Sequence, residues 1–222
     1  MDEVDPAGAV VDDPDDTPVS TRRLEAFTDG VFSIAATLLV LDLSIDRFPP
    51  HIHTDAQLWS ALVGQGFNIL SFVISFLLLG LLWRIHVWQF EFVLRVDSYT
   101  VFLNTLRLLG VVLIPFTTSL ISNYNEFLAG RTLLAVNFLF VTAVSALQWY
   151  HLTSPKFAFV SGLSPAAIRS TRLGSLIAVI LATVTLALSP WFGSLAFLIS
   201  FLNPLFDRLR APRPAGVRKR HH

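Results

Sequence analysis

Cysteine is absent from this chain of 222 residues, so disulfides, thiolate nucleophiles and cysteine-held metals are all excluded. Charge is scarce as well. Only 14% of the residues are charged against 53% hydrophobic, and the mean hydropathy of +0.61 lies far above that of a water-soluble domain. The familiar chemical motifs are missing: there is no GxxxxGK[ST], no GxGxxG after a strand, no HExxH and no GxSxG. These absences point away from an enzyme. They imply no catalytic residue, no cofactor and no nucleic-acid partner, and leave an integral membrane protein.

What the chain has instead is apolar length. A bilayer core takes ~20 apolar residues per helix, and six such segments can be placed, near 23–45, 57–88, 98–122, 127–151, 168–189 and 191–206. The expected fold is therefore all-α and polytopic, with six transmembrane helices over residues 22–207 and the first of them facing the interior of an assembly. Residues 1–21 hold seven of the 16 acidic residues and read as a disordered cytosolic tail. Residues 208–222 hold six of the 16 basic ones and read as a basic tail near anionic lipid, with His221 and His222 in the form of a tag remnant. Basic residues also set the orientation. With both termini in the cytoplasm, 13 of the 16 fall inside, Arg47 and Arg131 fall outside, and Arg107 lies within the third helix.

The stretch from Arg23 to Leu43, RLEAFTDGVFSIAATLLVLDL, carries its few polar groups at fixed intervals. At about 100° per residue, Ile34, Leu38, Leu41 and Ile45 share one narrow stripe, Thr37 sits beside it one turn above Ile34, and Asp29 points to roughly the opposite side. Polar groups on a spanning helix need protein or water around them. The bland reading of the stripe is packing against neighbouring helices. No internal repeat is present, so a pore lined by this helix needs several copies of the chain, and a closed cyclic assembly is the usual solution. No TVGYG loop and no arginine-rich helix occur, so a filter would have to consist of side chains.

Arg23, Phe27, Thr28 and Asp29 form an RxxxF(S/T)D signature, followed by GVFSIAATLLVLDL, by Trp83-x-x-His86 and by the Asn104 to Pro115-Phe116 spacing. This pattern resembles the transmembrane protein 175 family, potassium channels of lysosomes and of bacteria. The resemblance implies a homotetramer of six-helix units passing potassium ions through the lipid bilayer. It further implies that Ile34 forms the narrowest ring, that Leu38 and Leu41 form apolar rings, and that the Thr37 hydroxyl contributes to potassium preference. The signature residues, with His86 and Asn104, would tie the inner helix ends together. Thr28 replaces the commoner serine, and only one histidine follows Trp83 where many relatives have two. Lysosomal residence belongs to two-repeat animal members, so the expected location is a prokaryotic plasma membrane.

Several residues stand outside that pattern. Asp42 near the outer end of the first helix would concentrate cations at the mouth, or else be a carboxylate exposed to water. Arg107, some 14 Å along the third helix at ~1.5 Å per residue, needs a partner at mid-bilayer; Asp29 at similar depth is the candidate, and snorkelling to the inner surface competes. His51-x-His53 with Asp55 suggests a divalent cation, against a solvated polar loop. The last three helices, nearly free of charge, are expected to form a lipid-facing shell. Two other functions stay open: a proton leak along the same path, and a non-conducting membrane scaffold.

Overall fold

The computed structural model describes residues 20–43 and 48–202, so the acidic leader before Ser20, residues Ile45 and Arg47, and the basic tail lie outside the described residues. It is all-α, with six α-helices: α1 (Thr21–Leu38), α2 (Asp55–Gly64), α3 (Gly66–Phe90), α4 (Ser98–Asn123), α5 (Leu128–Leu152) and α6 (Pro165–Phe192). A 3-10 turn, Leu39–Asp42, continues α1, and a 3-10 segment, Gly193–Leu202, follows α6. The only strand pairing among the described residues is one antiparallel bridge, Val93 with Val160. Among the described residues five stretches are long and apolar enough to cross a membrane, Thr21–Asp42 and Pro165–Phe201 included.

Helix boundaries follow local chemistry. Asp97 caps α4 by accepting from the Thr100 amide at 2.8 Å and from its hydroxyl at 2.6 Å, which satisfies donors that have no partner inside the helix. Thr54 and Gln57 form a reciprocal capping box on α2. The sequence reads residues 57–88 as one long helix, but the structure divides it at Gln65, between Gly64 and Gly66. Two glycines flanking a polar residue give the helix little reason to continue, and α2, with no buried residue, rests on the surface.

Similarly, the sixth expected span differs from an α-helix. Gly193, at φ +54°, takes a backbone conformation that side-chain-bearing residues rarely adopt. The chain reverses there, and the 3-10 segment returns along α6, with Thr185 Oγ1 and Ser200 Oγ 3.1 Å apart. Ser194 Oγ meets Ser71 Oγ of α3 at 2.7 Å.

Within the bundle, α4 packs along α5, α5 along α6, and α1 lies against α4 and α3. The main core joins Phe32 of α1 and Leu39 of the 3-10 turn after it to Leu78 and Leu82 of α3, Leu108 and Val111 of α4, Leu134 and Val141 of α5, and Phe197. Gly110 sets the closest approach of α4 and α5, since a Cβ there would collide with Val141. Asn137 of α5 uses the same approach to donate to the Gly110 carbonyl at 2.9 Å. α5, expected in the lipid-facing shell, has two sides: it buries Leu134, Ala135, Phe138, Gln148 and Trp149 and leaves Leu133, Val136, Phe140 and Leu147 exposed. By contrast, α6 buries far less of its length.

Candidate pore face and buried polar network

α1 has two unlike faces. Leu24, Thr28, Phe32 and Ala35, followed by Leu39, are buried against α3 and α4. The other side is open: Ile34 is 61% exposed, Leu41 is 71% exposed, and Phe27, Thr37 and Leu38 are exposed with them. The stripe read from the sequence is thus the face that one subunit leaves uncovered. The Thr37 hydroxyl donates to the Ile34 carbonyl at 2.8 Å, so its proton is engaged and its oxygen lone pairs remain available. That bond is a common helical arrangement, and here it fixes the hydroxyl beside Ile34.

Asp42 departs from its expected place at an open mouth, being 8% exposed and on the inward side. The cause is helical phase: Asp42 follows buried Ala35 by two turns and shares its face, and the 3-10 turn keeps it there. In a 3-10 turn residues three apart eclipse each other, so Asp42 falls under buried Leu39, while Leu41 falls in line with Leu38.

The buried side of α1 holds a polar network. Asn104 of α4 donates through Nδ2 to Thr28 Oγ1 at 2.9 Å. Gln148 of α5, a residue the sequence reading passed over, lies within 3.5 Å of Asn104 Oδ1 and donates to the Thr100 carbonyl at 3.3 Å. An amide on an apolar helix was the available signal, whereas Asn104 was singled out by the family resemblance. His86 is buried between Phe32 and Phe90, with ring centroids 6.5 and 4.2 Å away, and neither ring nitrogen has a partner among the described residues.

Asp29 is not part of that network. Its carboxylate accepts from Trp83 Nε1 at 2.8 Å on the exposed side of the α1/α3 junction. Arg23 and Phe27 also stay exposed, so of the signature residues only Thr28 enters the buried set. Arg107 does not pair with Asp29 and does not snorkel. It is 1% exposed, its Nη1 donates to Gln148 Oε1 at 3.2 Å, and its Cζ lies 5.9 Å from the Phe32 ring centroid. The helical phase decides this, because Asp29 follows Thr28 by about 100° and is turned away from α4.

At the end of the bundle where α1 begins and α3 and α5 finish, loops are stapled together. Thr21 Oγ1 reaches the Leu94 carbonyl at 3.5 Å, the Leu94 amide donates to the Phe159 carbonyl at 2.8 Å, and His151 Nε2 meets Asp97 Oδ2 at 2.9 Å. Burial pushes the Asp97 carboxyl up, but hydrogen bonds from Thr100 and His151 outweigh it and hold the group below its ordinary value of 3.8. In the loop after α1, His53 uses its amide to donate to Gln57 Oε1 at 2.8 Å. Among the described residues no group of three or more His, Asp or Glu side chains could hold a metal.

Five spanning stretches, a buried polar network and an uncovered apolar helix face define a multi-pass α-helical membrane protein. Comparison with known proteins gives the family. Residues 23–115 match the family model described as "Endosomal/lysosomal potassium channel TMEM175". A potassium channel of Streptomyces collinus is 38% identical over 155 residues, covering 68% of this chain and 73% of that protein. The chain belongs to the TMEM175 family of ion channels and is not an enzyme. The endosomal/lysosomal proton channel TMEM175 of Gallus gallus is 36% identical over 113 residues, 49% of this chain but only 23% of that longer protein. The likeness also reaches the second half of the chain. A crystal structure of a lysosomal potassium-selective channel TMEM175 homolog from Chamaesiphon minutus superposes with a TM-score of 0.69 at 29% identity, covering 86% of this chain and 97% of that one.

Proposed function

We propose that this chain is a potassium-selective channel whose pore is lined by α1 from four identical subunits. The observation that carries the reading is the uncovered apolar face of α1, since Ile34, Leu38 and Leu41 are exposed on a helix whose opposite face is sealed. In a closed ring of subunits these side chains would form successive apolar constrictions, with Ile34 the narrowest. Such a ring gates by excluding water, and it favours the ion that gives up its hydration more readily, potassium over sodium. The Thr37 hydroxyl oxygen beside Ile34 would replace part of that hydration. Buried Asp42 is left out of the conduction path. The membrane is the cell membrane, with both termini on the cytoplasmic side, as the basic residues suggest.

A proton-conducting reading has one specific support, the name of the vertebrate relatives. It is the weaker reading, because this chain spans most of the Streptomyces potassium channel and a quarter or less of those proteins. The test is a reversal potential in planar bilayers with potassium on one side and sodium on the other, repeated under a pH gradient. A potential that follows potassium supports the proposal, and one that follows protons replaces it. In the same assay Ile34→Ala should raise the current and weaken selectivity, by on the order of tenfold if the ring is the main barrier. Unchanged current and ion preference in verified oligomers would remove α1 from the pore.

A further inference from the structure

Arg107 is a buried cation with no carboxylate within ion-pair distance among the described residues, where the only such pair is His151 with Asp97. Its neighbours are neutral. One nitrogen donates to Gln148 Oε1, the guanidinium carbon lies over the Phe32 ring, and Nη2 has no partner among the described residues. A desolvated guanidinium over an aromatic face is attracted more strongly than an exposed one. Phe32 therefore meets much of this charge's need for a partner.

Phe32 belongs to α1, two residues before Ile34 and on the opposite, buried face. One turn earlier, Thr28 attaches the same face to Asn104, and Gln148 joins Asn104 to Arg107. The result is a closed circuit: α1 is gripped at positions 28 and 32 by groups of α4 and α5 that are themselves connected. Close-packed interiors transmit displacement rather than absorb it, and α1 between positions 28 and 34 is one unbroken helix. A shift of the Phe32 ring toward or away from α4 must carry Ile34 with it.

We propose that Arg107, acting through Phe32 and Gln148, is a positioning residue that sets how far α1 stands from the rest of its subunit, and so the width of the ring at Ile34. This rests on the pore reading above. When the circuit is broken, α1 settles differently against α4, and conductance and ion preference change together although the residues lining the pore are unaltered.

The experiment is single-channel recording with potassium and sodium on opposite sides, on oligomers checked for size, with Arg107→Gln, Phe32→Leu, their double variant, Arg107→Lys and Ile34→Ala. Phe32→Leu keeps an apolar filler and removes the ring. Each of Arg107→Gln and Phe32→Leu should shift conductance on the order of twofold or more. The double variant should shift it no further than the larger single, and Arg107→Lys, which keeps a cation over the ring, should stay nearer the parent protein. Additive effects, or an assembled Arg107→Gln with unchanged conductance and selectivity, would overturn the proposal. Where Arg107→Gln does not assemble, unchanged conductance and selectivity in Phe32→Leu overturns it equally. Ile34→Ala separates the two levels: if it is silent the pore assignment fails, and if it alone changes the current only the positioning role fails.

Discussion

The Thr28 hydroxyl and the Asn104 amide meet at 2.9 Å in a fully buried position, 76 residues apart in sequence. Removing one partner leaves the other's polar atoms buried without compensation. Interhelical hydrogen bonds in membranes average about 0.6 kcal/mol in double-mutant cycles, and an orphaned buried polar group costs roughly 1–3 kcal/mol. Thr28→Val should therefore destabilise the folded protein by about 1 kcal/mol, read as a lowered midpoint of unfolding in detergent. Serine, the commoner residue of the family signature, keeps the hydroxyl and should be close to neutral. If Thr28→Val and Thr28→Ser unfold alike, the loss belongs to packing of the methyl group and not to the hydrogen bond. Asp29 illustrates how one step along a helix changes partners, since its bond goes to Trp83 on the exposed side.

Among elements, the α4/α5 pair is the mechanical centre, because α5 joins α4 to α6 and supplies Gln148 to the polar network. Its close approach depends on Gly110, whose missing side chain makes room for Val141 and Phe140. Small residues let membrane helices pack through their backbones. Gly110→Ala should force the two helices apart at a cost of about 1–3 kcal/mol, the usual penalty of overpacking, and should strain the Asn137 bond to the Gly110 carbonyl. Gly30, around which a Cβ would meet nothing within 4 Å in the subunit, is the control for the loss of a helical glycine. Equal unfolding midpoints for Gly110→Ala and Gly30→Ala would argue against a close-packed seam.

For the whole molecule, the staple at the basic end holds together the beginnings and ends of elements far apart in sequence. Asp97 serves it twice, as the cap of α4 and as the partner of His151. A carboxyl held below its ordinary value stabilises the folded state while it is ionised. That contribution is complete above the unfolded value of about 3.8 and disappears as pH falls through the lower folded value. Asp97→Asn should therefore lower the unfolding midpoint near neutral pH, and the difference should shrink as pH falls below about 3.8. A midpoint difference that stays constant across the whole range would mean that the charge contributes nothing and only the geometry of the cap matters.

The sequence by itself determined what depends on local order along one helix: the all-helical membrane class, the approximate reach of the spans, and the phase of Ile34, Leu38 and Leu41 against Thr28. Apolar runs and a 3.6-residue period encode these directly, and no distant partner can change which side chains share a face. The signature around Asp29 also placed the chain in its family. Only the tertiary structure decided which face meets protein and which residues become partners. It covered the face of α1 that carries Thr28 and Phe32, and Asp42 with it. It gave α5 a buried side as well as an exposed one, and it gave Arg107 to Gln148 and Phe32 instead of Asp29. Those outcomes depend on how separate helices pack against one another, and helical periodicity carries no term for the neighbour.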